Sequence, residues 1–293
     1  MVEEKRKVIM NLKPFQSPIT PTWCPGCGDF AVLRSLQTAL VNSGSDPAQT
    51  VICYGIGCSG NMADFNVSYG FHGLHGRALA NAIGVKLANH DLKVVVVAGD
   101  GDAYGEGLNH LIALARGNHD VTVVIHNNSR YSLTTGQSSP TTTQGIKTKS
   151  TPQGVVEHPF NPLASCLVAG ASFVARGYSS QPPQLTKLIQ AGLDHPGFAL
   201  IDVAQLCPTF NKEQDHAWFA ERVYQLDEAD HDTSQKNLAL ERALESDQIP
   251  LGIFYQDPNS KPYHSHLPQL NKMTLMGQRT NPVGIEKTLD KFI

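Results

Sequence analysis

A set of short, uninterrupted β-branched runs, each ending in a glycine- or asparagine-rich turn, constrains this chain most. Thr50–Tyr54 (TVICY) runs into Gly55-Ile56-Gly57, residues 94–98 (VVVVA) run into Gly99-Asp100-Gly101, and residues 121–126 (VTVVIH) run into Asn127-Asn128. A strand with one wet face alternates apolar and polar residues, whereas a run without alternation has both faces covered. Residues 171–175 and 198–203 read as a fourth and a fifth strand. Helical stretches fall between them: Asp29–Asn42, which stops at Gly44 as a capping glycine, then 77–89, 107–116 and 183–193. Strand and helix in alternation predict an α/β fold with a doubly wound, mostly parallel sheet. In such sheets ligands bind beyond the carboxyl ends of the strands, and the best polar motifs of the chain stand at those ends.

Composition narrows the function classes. Of 293 residues, 41% are hydrophobic and 17% charged, enough apolar material for a sizeable core. So low a charged fraction also hints at burial against a partner. A formal net charge of −3 leaves no basic excess to neutralise a phosphate backbone, so no nucleic-acid partner is expected. The longest purely apolar stretch, residues 94–98, falls far short of the roughly 20 residues of a membrane span. Residues 1–15 are charged, are broken by Pro14 and lack the apolar centre of a signal peptide. A cytoplasmic location without membrane contact is expected, where the six cysteines serve as thiols or metal ligands rather than disulfides. The chain divides into a main domain, 1–210, and a more polar extension, 211–293, with helical pieces around 213–225 and 235–245. Residues 134–159, rich in Thr, Gln, Gly, Ser and Pro, read as a long functional loop.

Gly99-Asp100-Gly101-Asp102 and Asn127-Asn128 together make one candidate site. A diphosphate needs its charge offset by a divalent cation, and Mg²⁺ takes hard oxygen ligands in an octahedron. The Asp100 carboxylate, the Asn128 amide oxygen and a main-chain carbonyl supply three ligands, and phosphate oxygens and water complete the set. The glycines let the backbone approach the phosphates and offer them free amide groups. Either motif alone is more often a plain turn; the pairing, each after a β-branched strand, points to a ligand. This combination resembles the motif of thiamine-diphosphate-dependent enzymes. The resemblance implies that Asp100, Asn128 and the backbone carbonyl of Arg130 bind the metal.

Cys24-Pro25-Gly26-Cys27 has C-x-x-C spacing, which by itself suits a redox dithiol, a zinc half-site or a tight turn. Cys58 follows the first strand and Cys207 the fifth, so both fall on the ligand side of a parallel sheet. Four soft thiolates select zinc or an iron–sulfur cluster. Cys53 within a strand and Cys166 in an apolar stretch read as small buried hydrophobes.

Five motifs occur in order: WCPGCG (23–28), GIGCSG (55–60), HGLHGR (72–77), GDGD (99–102), and LTTGQ (133–137) followed by SPT (139–141). Over about residues 21–211 the chain resembles beta subunits of the 2-oxoacid:ferredoxin oxidoreductases, in particular the short 2-oxoacid and 2-oxoglutarate type. The resemblance implies a sheet of the thiamine-diphosphate-binding type and one 4Fe–4S cluster on Cys24, Cys27, Cys58 and Cys207. Ile56, Gly57, Cys58 and Ser59, with Gly73, Leu74, His75 and Gly76, would line the cofactor. Gly101, Asp102, Ser132, Leu133, Thr134, Thr135, Gly136 and Gln137 would contact its diphosphate or close over it. Two departures bear on the substrate rather than the cofactor: Thr135, where many relatives carry lysine, and Asn61, where some carry a basic residue. His75 is the candidate catalytic residue and a cofactor contact. His72 either meets a ligand or fixes its turn by a hydrogen bond, and His264 and His266 read as solvated surface.

The implied activity is oxidative decarboxylation of a 2-oxoacid, 2-oxoglutarate favoured, to CO₂ and an acyl-CoA. Coenzyme A is the cosubstrate, and electrons pass through the cluster to ferredoxin. None of the glutamates sits in a second cofactor motif, so the carboxylate beside the aminopyrimidine is expected from an alpha subunit, with the cofactor at the interface. Two rival readings stand: a non-oxidative thiamine-diphosphate decarboxylase subunit with zinc or no metal on the cysteines, and a nucleotide-binding module with a structural zinc.

Overall fold

The computed structural model describes residues 12–278 and 289–290; Glu3, Glu4, Glu286 and most of the opening charged stretch lie outside the described residues. In chain order the strands are β1 Thr50–Tyr54, β2 Tyr69–His72, β3 Lys93–Gly99, β4 Thr122–Asn127, β5 Arg130–Tyr131, β6 Gln137–Ser138, β7 Phe173–Tyr178, β8 Ala199–Ala204, β9 Val223–Gln225 and β10 Ile249–Gln256. β5 and β6 pair as a small hairpin, and the others form one eight-stranded sheet in the order β2-β1-β3-β4-β8-β7-β10-β9. Every neighbouring pair in it is parallel except β7 and β10. The helices are α1 Asp29–Asn42, α2 Ala78–Ala88, α3 Leu108–Gly117, α4 Pro162–Ala169, α5 Pro182–Asp194, α6 His216–Ala220 and α7 Lys236–Ala243.

The unbroken valines of β3 have a direct cause. Val94, Val96 and Ala98 point into a core with Leu79, Leu111 and Leu163, from α2, α3 and α4. Val95 and Val97 point the other way, against Leu36 of α1 and Leu185 and Ile189 of α5. Each successive side chain of a strand faces the opposite side, so helices on both faces demand an apolar residue at every position. Local signals set the helix ends. Asn161 accepts a hydrogen bond from the Ala164 amide with Pro162 next to it, and Gly170 closes α4 in the left-handed region at φ 105°.

The structure departs from the sequence expectations at four places. The fourth strand spans Phe173–Tyr178 rather than 171–175, because Arg176 is tolerated inside it: its guanidinium donates to Asp202 of β8 at 3.1 Å. The predicted helix over 213–225 is the short α6 followed by β9. β10 carries Pro250 and Gly252 and escapes the β-branched signal, yet pairs with β7 and so continues the main sheet. β2 (YGFH) also lacks that signal, because it is an edge strand with all four residues exposed. Among the described residues no helix is long and apolar enough to cross a membrane.

Candidate active site

Beyond the carboxyl ends of β1, β3, β4 and β8 lie two adjoining cavities, of about 90 and 220 Å³. Asp100 follows β3 directly and is fully buried. Its Oδ2 accepts from Ser139 Oγ at 2.5 Å and Thr141 Oγ1 at 2.6 Å. Burial pushes its carboxyl up to about 6, while those hydroxyls work in the opposite direction. After Asp100 the chain makes a π-helical turn, Gly101–Glu106, a distortion that recurs at functional sites. Tyr131 lies so close over Gly101 that a Cβ there would stand 2.4 Å from its ring.

Asp102 ties the turns together. One carboxylate oxygen accepts from the Ile56 amide at 3.1 Å and the Gly76 amide at 2.9 Å. His75 Nδ1 stands 2.7 Å from the same oxygen and 3.3 Å from Glu106. Gly55 is required here, since a Cβ would stand 2.4 Å from the other Asp102 oxygen. Thus GIGCSG, HGLHGR and GDGD, far apart in sequence, converge on one buried carboxylate. His72 settles its two alternatives: Nε2 donates to the Gly55 carbonyl at 2.9 Å, which fixes the turn.

Asn128 also reaches the first cavity. Its Oδ1 accepts from the Arg130 amide at 3.0 Å, its Nδ2 donates to Gln205 at 2.9 Å, and its backbone carbonyl accepts from Asn211 at 2.8 Å. The Arg130 guanidinium is turned to the Ser129 and Phe210 carbonyls and the Glu213 carboxylate. Ile56, Gly57, Cys58 and Ser59 line this cavity, as do Gly101, Asp102 and His75. Ser132, Leu133 and Thr134 form its far wall. Gly73, Leu74, Gly76, Thr135, Gly136 and Gln137, also expected at the cofactor, are not among the residues that line it. Gly76 acts through Asp102, and Gln137 accepts from Thr134 at 2.6 Å. Thr135 adopts φ 80°, uncommon for a β-branched residue, and takes a hydrogen bond from Lys149 at 2.6 Å.

The second cavity is ringed by Cys24, Cys27, Cys58 and Cys207, with Trp23 and Asp29 beside them. It shares Cys58, Asn128, Ser132, Leu133 and Gln205 with the first. Burial, reinforced by Asp29, pushes the Cys58 thiol up to about 12 and raises Cys27 further. Asp29 accepts from Cys27 Sγ at 3.4 Å, and Ser132 Oγ lies 3.3 Å from Cys207 Sγ. Cys53 in β1 and Cys166 in α4 are buried in the apolar core, away from this ring. Among the described residues no group of three or more His, Cys, Asp or Glu closes on a point where a single metal ion would sit.

Several site residues escaped the sequence reading. The sequence marks Ser139 and Thr141 only as part of a motif, and the structure makes them the hydroxyls that hold Asp100. The sequence marks His126 only as the end of a strand and Asp29 as the start of a helix, yet His126 Nδ1 meets Asp29 Oδ1 at 2.5 Å. The one available signal was a histidine inside an otherwise β-branched run.

A family model described as the C-terminal TPP-binding domain of thiamine pyrophosphate enzymes matches residues 55–203. A second, the C-terminal part of the pyruvate ferredoxin oxidoreductase beta subunit, matches residues 207–272. The chain is 41% identical over 268 residues to 2-oxoacid:ferredoxin oxidoreductase 1, subunit beta, of Aeropyrum pernix, covering 88% of this chain and 84% of that one. This chain belongs to the 2-oxoacid:ferredoxin oxidoreductase beta subunits. The family and the α/β fold expected from the motifs are therefore the ones found. Another relative is the 2-oxoglutarate oxidoreductase subunit KorB of Mycobacterium tuberculosis, 46% identical over 199 residues, or 68% of this chain and 53% of that one. Among solved structures, the 2-oxoglutarate:ferredoxin oxidoreductase of Magnetococcus marinus with 2-oxoglutarate, coenzyme A and succinyl-CoA bound superimposes with a TM-score of 0.88. The two chains are 36% identical, and the match covers 99% of each.

Proposed function

We propose that this beta subunit binds thiamine diphosphate and Mg²⁺ in the first cavity and one 4Fe–4S cluster in the second. With an alpha subunit it would oxidatively decarboxylate a 2-oxoacid to an acyl-CoA and CO₂ and pass electrons to ferredoxin. The observation that carries this reading is the wall common to both cavities, in which Cys58 directly follows Gly57 of the first. A carbon-centred reaction on one side and an electron acceptor on the other are then neighbours. Thiamine diphosphate, when bound, stabilises negative charge at the former carbonyl carbon of a 2-oxoacid, and a cluster accepts electrons singly.

The residues present fit these groups. Asp100 and Asn128 put a carboxylate and an amide oxygen on one buried wall, the hard donors Mg²⁺ takes. Two buried polar atoms of that cavity, Ser59 Oγ and His126 Nε2, have no protein partner, and a third without a hydrogen bond, His75 Nδ1, faces Asp102 at 2.7 Å. Cys24, Cys27, Cys58 and Cys207 line one cavity, and four soft thiolates are the ligand set of a 4Fe–4S cluster. Asp102 holds the turns at 56 and 76 and orients His75, leaving the histidine's Nε2 as the group to meet cofactor or substrate. 2-Oxoglutarate is the favoured substrate, since the solved relative has it bound. Beside the cavities the edge strand β2 exposes Tyr69 (63%) and Phe71 (46%), with Leu74 (78%) just beyond. An exposed edge carrying apolar side chains calls for a covering partner, here the alpha subunit.

The test is anaerobic co-purification with the alpha subunit, followed by dye reduction with a panel of 2-oxoacids. Brown protein with about four irons per chain and dye reduction dependent on 2-oxoacid and coenzyme A are expected. A colourless protein holding one zinc, with CO₂ released but no dye reduced, would replace this reading with the non-oxidative one.

A further inference from the structure

His126 stands one residue before the end of β4, in register with Gly99 and therefore beside Asp100. The rest of the strand is β-branched except for Asn127 at its end, so a histidine here departs from the apolar pattern of the run. The imidazole is 1% exposed. Its Nδ1 lies 2.5 Å from Asp29 Oδ1, at the start of α1, and Asp29 is equally buried. This contact fixes the ring plane and prevents a flip. The opposite nitrogen, Nε2, has no partner in the protein, and the ring lines the first cavity. Ser59 Oγ, buried in the wall of the same cavity, also lacks a partner. A buried polar atom without a hydrogen bond is destabilising, so two in one cavity point to a ligand that satisfies them. Asp29 itself lines the second cavity, so the pair spans the partition between the two.

We propose that His126 is a further cofactor-binding residue: held by Asp29, its Nε2 hydrogen-bonds an oxygen of the bound diphosphate, with Ser59 alongside. The proposal rests on the first cavity being the thiamine diphosphate site. Asp29 then acts as a positioning residue, through His126.

Two substitutions separate this role from a structural one. His126→Asn keeps an amide near the Nδ1 position for Asp29 and removes the cavity-facing nitrogen. His126→Gln places an amide nitrogen near the Nε2 position. The measurement is the thiamine diphosphate dissociation constant of the anaerobic alpha–beta complex at fixed Mg²⁺. Inorganic pyrophosphate is run as a competing probe, and cluster absorbance and thermal midpoint report folding. His126→Asn is expected to weaken both ligands about tenfold, the loss of one charge-assisted hydrogen bond, with cluster and midpoint unchanged. His126→Gln is expected to stay near the parent. Parental affinity in His126→Asn, or equal losses in both variants with a lowered midpoint, would overturn the assignment. A parent complex that binds no thiamine diphosphate would instead overturn the site reading beneath it.

Discussion

Asp100 is buried deeply enough that its carboxyl is pushed up to about 6, yet two hydroxyls are aimed at one of its oxygens. Burial without metal opposes its charge, and a divalent cation would restore it. Asp100→Ala removes that anion and leaves Ser139 and Thr141 facing a void. Mg²⁺-dependent thiamine diphosphate affinity is expected to fall at least about a hundredfold, with unchanged circular dichroism; equal affinity in mutant and parent would remove Asp100 from the metal site. The cysteines make the matching case for the second cavity. Serine at Cys24, Cys27, Cys58 or Cys207 should lower iron content and visible absorbance. Serine at Cys53 or Cys166, both outside that ring, should cost about 1–3 kcal/mol of stability and leave iron per folded chain unchanged. Iron loss in the Cys53 or Cys166 variant would redraw the ligand set.

At the scale of elements, the long segment at 134–159 divides in two. Its first part is pinned to the site: Ser139 and Thr141 on Asp100, and Thr142 Oγ1 on the Ser129 carbonyl at 2.7 Å. Farther along, residues 143–145 are exposed and Val156 is 81% exposed. Limited proteolysis of cofactor-free protein should therefore cut within 143–157 first, and thiamine diphosphate with Mg²⁺ should slow that cut. Cleavage indifferent to the ligand would argue against closure of this segment over the cavity. The helical turn at 263–266 is docked by ring stacking, Tyr263 on His119 at 4.4 Å and His264 on His90 at 4.9 Å. Burial lowers His119, His195 and His264 below the ordinary imidazole value. A histidine kept neutral by the fold gains its proton more readily in the unfolded chain, so the unfolded state binds more protons as pH falls through ~6.5. Stability from these groups is full above that range and declines below it. Asp100, raised to about 6, acts oppositely in the same window, so the comparison is with the parent: between pH 7 and pH 5.5 the thermal midpoint of His119→Phe should fall less than that of the parent. Equal changes in the two would rule the docking out as pH-sensitive.

The whole molecule supplies one half of a thiamine diphosphate site. In the proposed reading Asp100, Asn128 and the Asp102 clamp would hold the diphosphate end, whereas no second motif provides for the aminopyrimidine. The edge strand β2 and the turn after it expose Tyr69, Phe71 and Leu74. An alpha subunit is expected there, and the assembly is expected to be a two-fold pair of heterodimers. Purified alone, the chain should decarboxylate no 2-oxoacid; adding the alpha subunit should restore turnover, and a mass measurement should report the pair. Robust turnover without a partner would mean that the missing carboxylate is in this chain. Glu106, 3.3 Å from His75, would be the first residue to substitute, with Glu157 next.

The sequence by itself determined the parallel centre of the sheet and the type of chemistry at its rim. Burial on two faces forces unbroken β-branched runs, and the proposed metal-bridged diphosphate would call for the glycine, aspartate and asparagine where those runs end. Local chemistry of this kind is legible residue by residue. Tertiary structure alone decided which distant groups meet. It showed Asp102 gathering the turns of three motifs, His126 meeting Asp29 across the chain, and Arg176 placed within a strand because Asp202 lies beside it. It also placed β2 and β10, whose residues are exposed at an edge or paired antiparallel and so carry no two-faced apolar signature. A polar residue's partner is chosen by proximity in space, and proximity between positions far apart in sequence exists only once the chain has folded.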